Sequence, residues 1–567
     1  MIKKIEFRKY ISMISSPEVY VTIFCLAFYF IAAALYTNPF IFNPQQTLTA
    51  PINGDNGYSA IKFEAIKREG LNPFVDNQLE SIAYPDSQQT NVSVDRVSFL
   101  STLFLWKVTG LTNSVFAHSL LSFLGIFMTA AVTYFFAKSI SGSKFIALIA
   151  GYMYGFFPLM ITLAFSASTY THMWLFILPI WAFWALSIRG YSKKRLAVAV
   201  ASVLPAMFWT PYYTFHVLLL SSAVLLASVF WARKINGLNK TLRITLVSVG
   251  SWLVFSIIYI FVGLSSGNGG DIPSRTINEA YQQSSHPLMY ILPGTYSLWG
   301  SGLNLTLTGL VPRAINTNLY LGVSTFLAAL TGLYFLVLQK VESKKLLLIQ
   351  IGMAITILAF LFSLPPTIKM LNLNVPTPNK IVVKIVPALR AGQRLAMPMM
   401  AGLITLAISG IILLTQKLSK IKKYLLFSCI LLILVLDFLV YIPDRTTTFV
   451  SNPALSQLRG FPKGLLAHYN HSSLVGNPGQ YICFAQFEHN MPIVNDCAMD
   501  RDPYNFDKPK PTLARIVLRP LCEQPEALYN MGVKYVIIKR GDIRISKCMN
   551  GSKRVILEDS QFRIYEL

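Results

Sequence analysis

Two stretches far apart along the chain carry residue types suited to group transfer. The first is NGDNGYSAIKFEAIKREG, Asn53 to Gly70, which holds the carboxylate of Asp55. Asn, Gly and Asp tolerate turn conformations. The next residues, Tyr58 to Glu69, are helix-compatible and close at Gly70, a residue suited to a C-terminal cap. Asp55 then sits just before a helix start, where free N–H groups and the macrodipole favour the ionised carboxylate. Such a group accepts a proton or binds a metal ion. Ile61, Ala65 and Ile66 share one side, as in a helix lying flat on a bilayer surface. Asp76, Asp86 and Asp95 continue the same loop, and Asp95, just before the apolar segment Val97–Val108, is the next candidate.

The second stretch, residues 365–395, has no Asp or Glu yet contains Lys369, Lys380, Lys384, Arg390 and Arg394. Arg390 and Arg394 are four apart, so on a helix they share a face. They stand at the head of an apolar run whose N-terminus also favours anions. Phosphate suits such a site, because Arg grips its oxygens in a fork and offsets charge building on a leaving group; Lys384 is a further candidate for the same anion. The plainer reading is cations snorkelling to lipid head groups. His172 and His286 are candidates for contact with substrate, although a lone His is more often a packed polar residue. His118 and His216 fall in apolar runs, where an ionisable group marks a site or bonds between helices. Trp209, Tyr212 and Tyr213 read as an interfacial aromatic belt, or as a surface on which a sugar or prenyl chain stacks.

The elements that position these residues can be read from composition. The 567 residues are 53% hydrophobic, 13% aromatic and 13% charged, with a mean hydropathy of +0.50. That is the multi-spanning membrane class. The net charge of +24 would suggest nucleic acid in a soluble protein. Here the cations sit in short clusters between apolar runs, where they set topology, and nucleic acid is not expected as a partner. The basic start leads into Val19–Thr37, read as a signal anchor.

Runs of roughly 17–25 apolar residues cross a bilayer as helices. Eleven are expected: Val19–Thr37, Ser114–Lys138, Lys144–Phe165, Met173–Ile188, Leu196–Trp209, Tyr212–Trp231, Ile244–Leu264, Asn318–Leu338, Leu346–Leu364, Ala396–Thr415 and Tyr424–Tyr441. Two are short, and the pair around Pro211 also fits a broken or re-entrant hairpin. Cations fall in alternate connections: Lys3, Lys4, Arg8 and Lys9; Lys138 and Lys144; Arg189, Lys193, Lys194 and Arg195; Arg233 to Arg243; Lys340 to Lys345; Lys417 to Lys423. The positive-inside rule puts these in the cytoplasm. The N-terminus is then inside and the C-terminus outside, with long outer connections at 38–113, 265–317 and 365–395. The expected fold is mainly α: a transmembrane helical bundle, residues 1–441, followed by a small extracytoplasmic α/β domain, residues 442–567.

Strand-like runs Tyr481–Phe484, Tyr535–Ile538 and Gln561–Leu567, and a short helix Pro525–Met531, mark that tail. Cys483, Cys497, Cys522 and Cys548 lie there and either pair as disulfides, in one of three ways, or pack as small apolar residues.

The order of these features resembles the polytopic GT-C-type glycosyltransferases of bacterial membranes, which use polyprenyl-linked sugars on the outer face. It rests on GD near the start of a long first outer loop, a short helix, Asn72-Pro73-Phe74, Tyr84-Pro85 and a later Asp95. It extends to RTINEAYQQSSHPLMYILP (Arg275 to Pro293), PALRAGQRLAMP (Pro387 to Pro398), MPIVND and LYNMGVKYVII. The resemblance implies a plasma (inner) membrane enzyme of glycan biosynthesis in the cell envelope. It would move a sugar from a polyprenyl phosphate or diphosphate to a glycan, lipid or protein acceptor. Asp55 would be general base or ligand of a divalent metal such as Mg or Mn, helped by Asp95; Arg390, Arg394 and Lys384 would bind donor phosphate, and His172, His286 and Arg275 would contact substrate. No DxD or ExD occurs at Asp55, which is followed by Asn56. Two other classes fit many spans: a transporter or lipid flippase, although no inverted halves are visible, and a non-catalytic envelope assembly protein.

Overall fold

The computed structural model describes residues 17–50, 55–75, 98–189, 191–234, 238–266, 319–338, 343–370, 373–385, 392–416 and 418–440. It also describes shorter pieces of the loops, and of the C-terminal region residues 452–469, 488–493, 525–530, 532–540, 554–560 and 562–567.

In chain order α1 is Pro17–Tyr36, β1 Thr47–Leu48, α2 Asp55–Glu69, β2 Gln78–Leu79, β3 Gln88–Gln89, α3 Phe99–Leu111, α4 Ser114–Ser141, α5 Lys144–Gly155 and α6 Pro158–Ser166. A 3-10 turn, Ser168–Thr171, precedes α7 Trp174–Arg189, α8 Lys193–Ala201, α9 Leu204–Trp209, α10 Pro211–Lys234 and α11 Leu238–Ser266. Then come α12 Val323–Leu338, α13 Ser343–Ser363, β4 Thr367–Met370, β5 Leu373–Pro376, α14 Pro378–Ile385, a second 3-10 turn Gly392–Leu395, α15 Ala396–Thr415 and α16 Lys420–Asp437. The C-terminal region adds β6 Thr447–Thr448, α17 Pro453–Gln457, β7 Leu465–Tyr469, α18 Pro525–Asn530, β8 Val533–Lys539, β9 Arg554–Glu558 and β10 Phe562–Glu566.

Helix forms in all eleven apolar stretches. Among the described residues six helices are long and apolar enough to cross a membrane, or seven if the bent pair α5 and α6 is one span. Prolines break two of the stretches. Pro158 opens α6 after a 45° bend, and the stretch Leu196–Trp209 is split into α8 and α9, with Pro205 in the first turn of α9. Proline fits a first turn, where its missing N–H is no loss, and ends whatever helix precedes it. The described apolar parts of α3, α11 and α12 are Phe99–Leu111, Thr245–Phe261 and Val323–Phe335, α11 itself running 29 residues, and the sequence marks α3 only as an apolar segment. The chain is a multi-pass membrane protein by its helices.

The bundle is built around α15, nearly all of whose residues are buried. Its Gly402 lies where a side chain would strike the backbone of Gly352 on α13. Small residues at such crossings let helices approach closely where lipid supplies no hydrophobic drive. The helices also share an axis of charge. α4, α7, α10 and α15 all begin at one end of the bundle, close to α2 or the 3-10 turns, and Lys138, Lys144, Arg189, Lys193 and Lys420 fall at the other.

The first connection is tied to the far end of the chain, since β1 pairs antiparallel with β6, Thr47 opposite Thr448. The C-terminal region holds a four-stranded sheet in the order β7, β8, β10, β9, with β7 parallel to β8 and the other pairs antiparallel. α18 feeds β8 through Gly532, whose φ of 82° favours glycine. Helix and strands form here where the pattern expects them, while Tyr481–Phe484, Cys483, Cys497, Cys522 and Cys548 lie outside the described residues.

Candidate functional site

The helix that carries Asp55 begins one turn earlier than expected. Asp55 is the first residue of α2 and exposed, where a carboxylate is favoured by the unpaired N–H groups of the first turn. Gly70 ends the helix with a φ of 66°, as its position predicts. The helix does not lie free on a surface, because Asn56, Ala60, Ile61, Phe63, Ala65 and Ile66 are buried against the bundle.

Four turns of α2 are fixed by polar side chains. Asn56 accepts from the Ser168 N–H at 2.7 Å and donates to the Ala164 carbonyl at 3.2 Å. His118 of α4, buried, bonds Ser59 Oγ at 2.8 Å and the Ser114 carbonyl at 2.9 Å. Glu64 accepts from the Ser114 N–H at 3.1 Å and pairs with Arg68 at 3.5 Å. Arg68 in turn donates to Asn490 Oδ1 at 3.3 Å, docking the C-terminal region on the same helix.

Opposite Asp55 stands the 3-10 turn Ser168–Thr171. Each of its residues is held by a different helix: the Ser168 N–H by Asn56, the Thr169 carbonyl by Trp209 Nε1 at 2.8 Å, the Tyr170 carbonyl by Tyr213 at 2.8 Å and the Thr171 carbonyl by Thr129 at 3.1 Å. A Cβ at Gly125 of α4 would overlap the Thr171 side chain, so the turn sits in a groove that only glycine leaves open. The turn presents the Tyr170 ring and hydroxyl.

Arg394, in the 3-10 turn ahead of α15, completes the group. Its guanidinium lies 4.3 Å from the Tyr170 ring centre and 4.3 Å from that of Tyr212, and it donates to the Tyr170 hydroxyl at 2.8 Å. Set against two aromatic rings, the side chain is fixed in direction; each contact is worth about 0.5–2 kcal/mol. Asp55 is in electrostatic range of both Arg394 and Tyr170. The first-loop carboxylate and a guanidinium from the head of the last enclosed helix therefore lie within electrostatic range of each other at one end of the bundle. His216, one turn along α10 from Tyr212, is buried against Phe176 and Tyr213, within electrostatic range of Arg394.

The remaining expected residues divide. Asp95, Arg275 and Arg390 lie outside the described residues. Lys384 is exposed on α14, with no described bond to the Asp55–Arg394 group. His172 is packed within the protein. Its Nε2 bonds the Leu121 carbonyl at 3.2 Å, its Nδ1 accepts from Trp174 Nε1 at 3.1 Å, and its ring lies 4.2 Å from Trp209. Both nitrogens are engaged within the protein. His286 caps the short turn Pro287–Tyr290 by accepting from the Leu288 N–H at 3.4 Å.

Among the described residues no three His, Cys, Asp or Glu side chains gather in one place. Tyr170 and Asn56 do not stand out as site residues in the sequence. The polar run SASTYTH, Ser166 to His172, interrupting apolar sequence, is the signal that points to the turn.

A model of the family described as a domain of unknown function (DUF6311) matches residues 26–438, which include every residue of this group. No curated protein matches the chain. Among solved structures, the archaeal oligosaccharyltransferase AglB of Archaeoglobus fulgidus, in complex with an inhibitory peptide and a dolichol-phosphate, is 10% identical with a TM-score of 0.46 over 92% of this chain and 70% of its own. The apo form of the oligosaccharyltransferase of the same organism gives 10% identity and a TM-score of 0.48 over 91% and 69%. ArnT of Cupriavidus metallidurans bound to undecaprenyl phosphate gives 12% and 0.40 over 95% and 97%. Likenesses at this level assign neither a fold nor an activity to the chain.

Proposed function

The chain belongs to the DUF6311 family, and from its site we propose that it is an integral-membrane glycosyltransferase. It moves a sugar from a polyprenyl phosphate or diphosphate to a hydroxyl of a glycan, lipid or protein acceptor at the extracytoplasmic face of the plasma membrane. The observation that carries this reading is the placing of Asp55 within electrostatic range of the Tyr-flanked Arg394. The cations gathered at the opposite end of the bundle support the extracytoplasmic side by the positive-inside rule.

The chemistry needs two charges of opposite sign on either side of the reacting carbon. As the acceptor oxygen bonds to the anomeric carbon, Asp55 takes the hydroxyl proton. The bond from that carbon to the phosphate oxygen breaks, and the electron pair leaves with the phosphate. Arg394 offsets the growing charge, and the Tyr170 hydroxyl is placed to donate. Asp55 is exposed, where an acceptor can reach it, whereas Arg394 is half-buried among aromatic rings, which suits the head of a lipid donor at the bilayer edge.

The test is transfer by purified protein in detergent, with undecaprenyl-linked sugars as donors and no membrane gradient, which separates the reaction from transport. Asp55→Asn should fold and bind undecaprenyl phosphate while losing transfer. Undiminished transfer by that variant would remove Asp55 from the reaction.

A further inference from the structure

We infer that Asn56 is a positioning residue for this site: one side chain that sets the separation between the Asp55 carboxylate and the Tyr170–Arg394 pair. The inference rests on the transferase reading above and concerns a residue that never touches substrate.

Asp55 is the exposed first residue of α2. The next residue is the reverse: Asn56 is 3% exposed, and its amide uses one acceptor and one donor on two backbone groups of another segment. Those groups flank the break between α6 and the 3-10 turn. The Ala164 carbonyl lies near the end of α6 and also accepts from Ser122 Oγ of α4 at 2.7 Å. The Ser168 N–H opens the turn, two residues before Tyr170, whose hydroxyl holds Arg394. The covalent neighbour of the proposed base is thus bonded to the segment that positions the proposed phosphate ligand. Only an amide does both, since a carboxylate would set a second acceptor against the Ala164 carbonyl and an apolar side chain would strand the buried Ser168 N–H. His118 and Ser59 hold the next turn of α2, so removing Asn56 frees its start without detaching the helix.

The experiment compares Asn56→Ala, Asn56→Asp and, as a control, Ser122→Ala, which removes a neighbouring bond to the same carbonyl. Hydrogen exchange at the Ser168 amide should speed up in Asn56→Ala, but not in Asn56→Asp, which keeps an acceptor for that amide and loses only the bond to the Ala164 carbonyl, nor in Ser122→Ala. Transfer should fall by about 10- to 100-fold in Asn56→Ala, the effect of roughly 1 Å of misplacement, with Ser122→Ala within about twofold. Binding of undecaprenyl phosphate, which needs Arg394 and not the base, should change by less than about threefold in all three. Unchanged exchange at Ser168 in Asn56→Ala would overturn the inference whether or not transfer is seen. So would full transfer by Asn56→Ala, or binding, transfer and Tm falling together, which is what a general structural role produces. Failure of the transferase reading looks different: no transfer by the wild type, and Arg394→Gln binding undecaprenyl phosphate as the wild type does.

Discussion

α2 and α14 are short helices in two long connections, and both carry charge that looks usable for binding. α2 is tied at Asn56, Ser59, Glu64 and Arg68 and buries one whole side. α14 is fixed at its start by buried Asn379, which donates to the Leu364 carbonyl at 2.8 Å. Past that point Lys380, Ile381 and Lys384 are exposed, Ile381 by 63%. An apolar side chain between two exposed cations is the pattern of a helix resting at a membrane interface. The difference teaches that charge alone does not separate a reacting group from a lipid-facing one. What separates them is whether neighbouring elements hold the group in one place.

That contrast is broken or sharpened by substitution. The largest effect is expected at Asp55: transfer by Asp55→Asn should fall by about 100-fold or more, the usual scale for losing a general base, at unchanged Tm. Next is Arg394→Lys, which keeps the charge but loses the planar fork set against the Tyr170 and Tyr212 rings. Binding of undecaprenyl phosphate should weaken by about tenfold, because Lys and Arg are not interchangeable at such a site.

Acid should act on the docking of the C-terminal region. Burial pushes His468 and His489 down to about 3, with His489 also opposed by His468, Arg68 and Arg459. An unfolded His titrates near 6.5, so below that the unfolded state binds protons that the folded state refuses. Stability present above pH 6.5 is then lost as pH falls toward 3, by about 1 kcal/mol per His for each unit below 6.5. Thermal melts followed at the C-terminal sheet between pH 7.5 and 5 should show it, and His489→Gln should flatten the curve. The smallest effect is expected at Lys384→Gln: transfer within about twofold, on an exposed face. A tenfold loss there would place the phosphate on α14 and dissolve the contrast.

Much of this is legible in sequence. Asp55, the cap at Gly70 and the importance of the region ahead of α15 come from local chemistry and spacing. The eleven helical stretches come from hydropathy, whereas the bend at Pro158 and the break before Pro205 show only once the helices are packed. Arg394 is visible as a charge, but not its Tyr170–Tyr212 clamp, which joins the turn before α7, the start of α10 and the turn before α15. His172 looks available because sequence does not show that the Leu121 carbonyl and Trp174 occupy both its nitrogens. Asn56 reads as a turn-former alone, since its partners at Ala164 and Ser168 are distant in the chain.

The most direct test is an experimental structure of the protein with undecaprenyl phosphate bound. The phosphate should rest against the Arg394 guanidinium and the Tyr170 hydroxyl, with the Asp55 carboxylate facing the same cavity. A phosphate seated at Lys384, or at the cationic end near Lys138 and Arg189, would contradict the account.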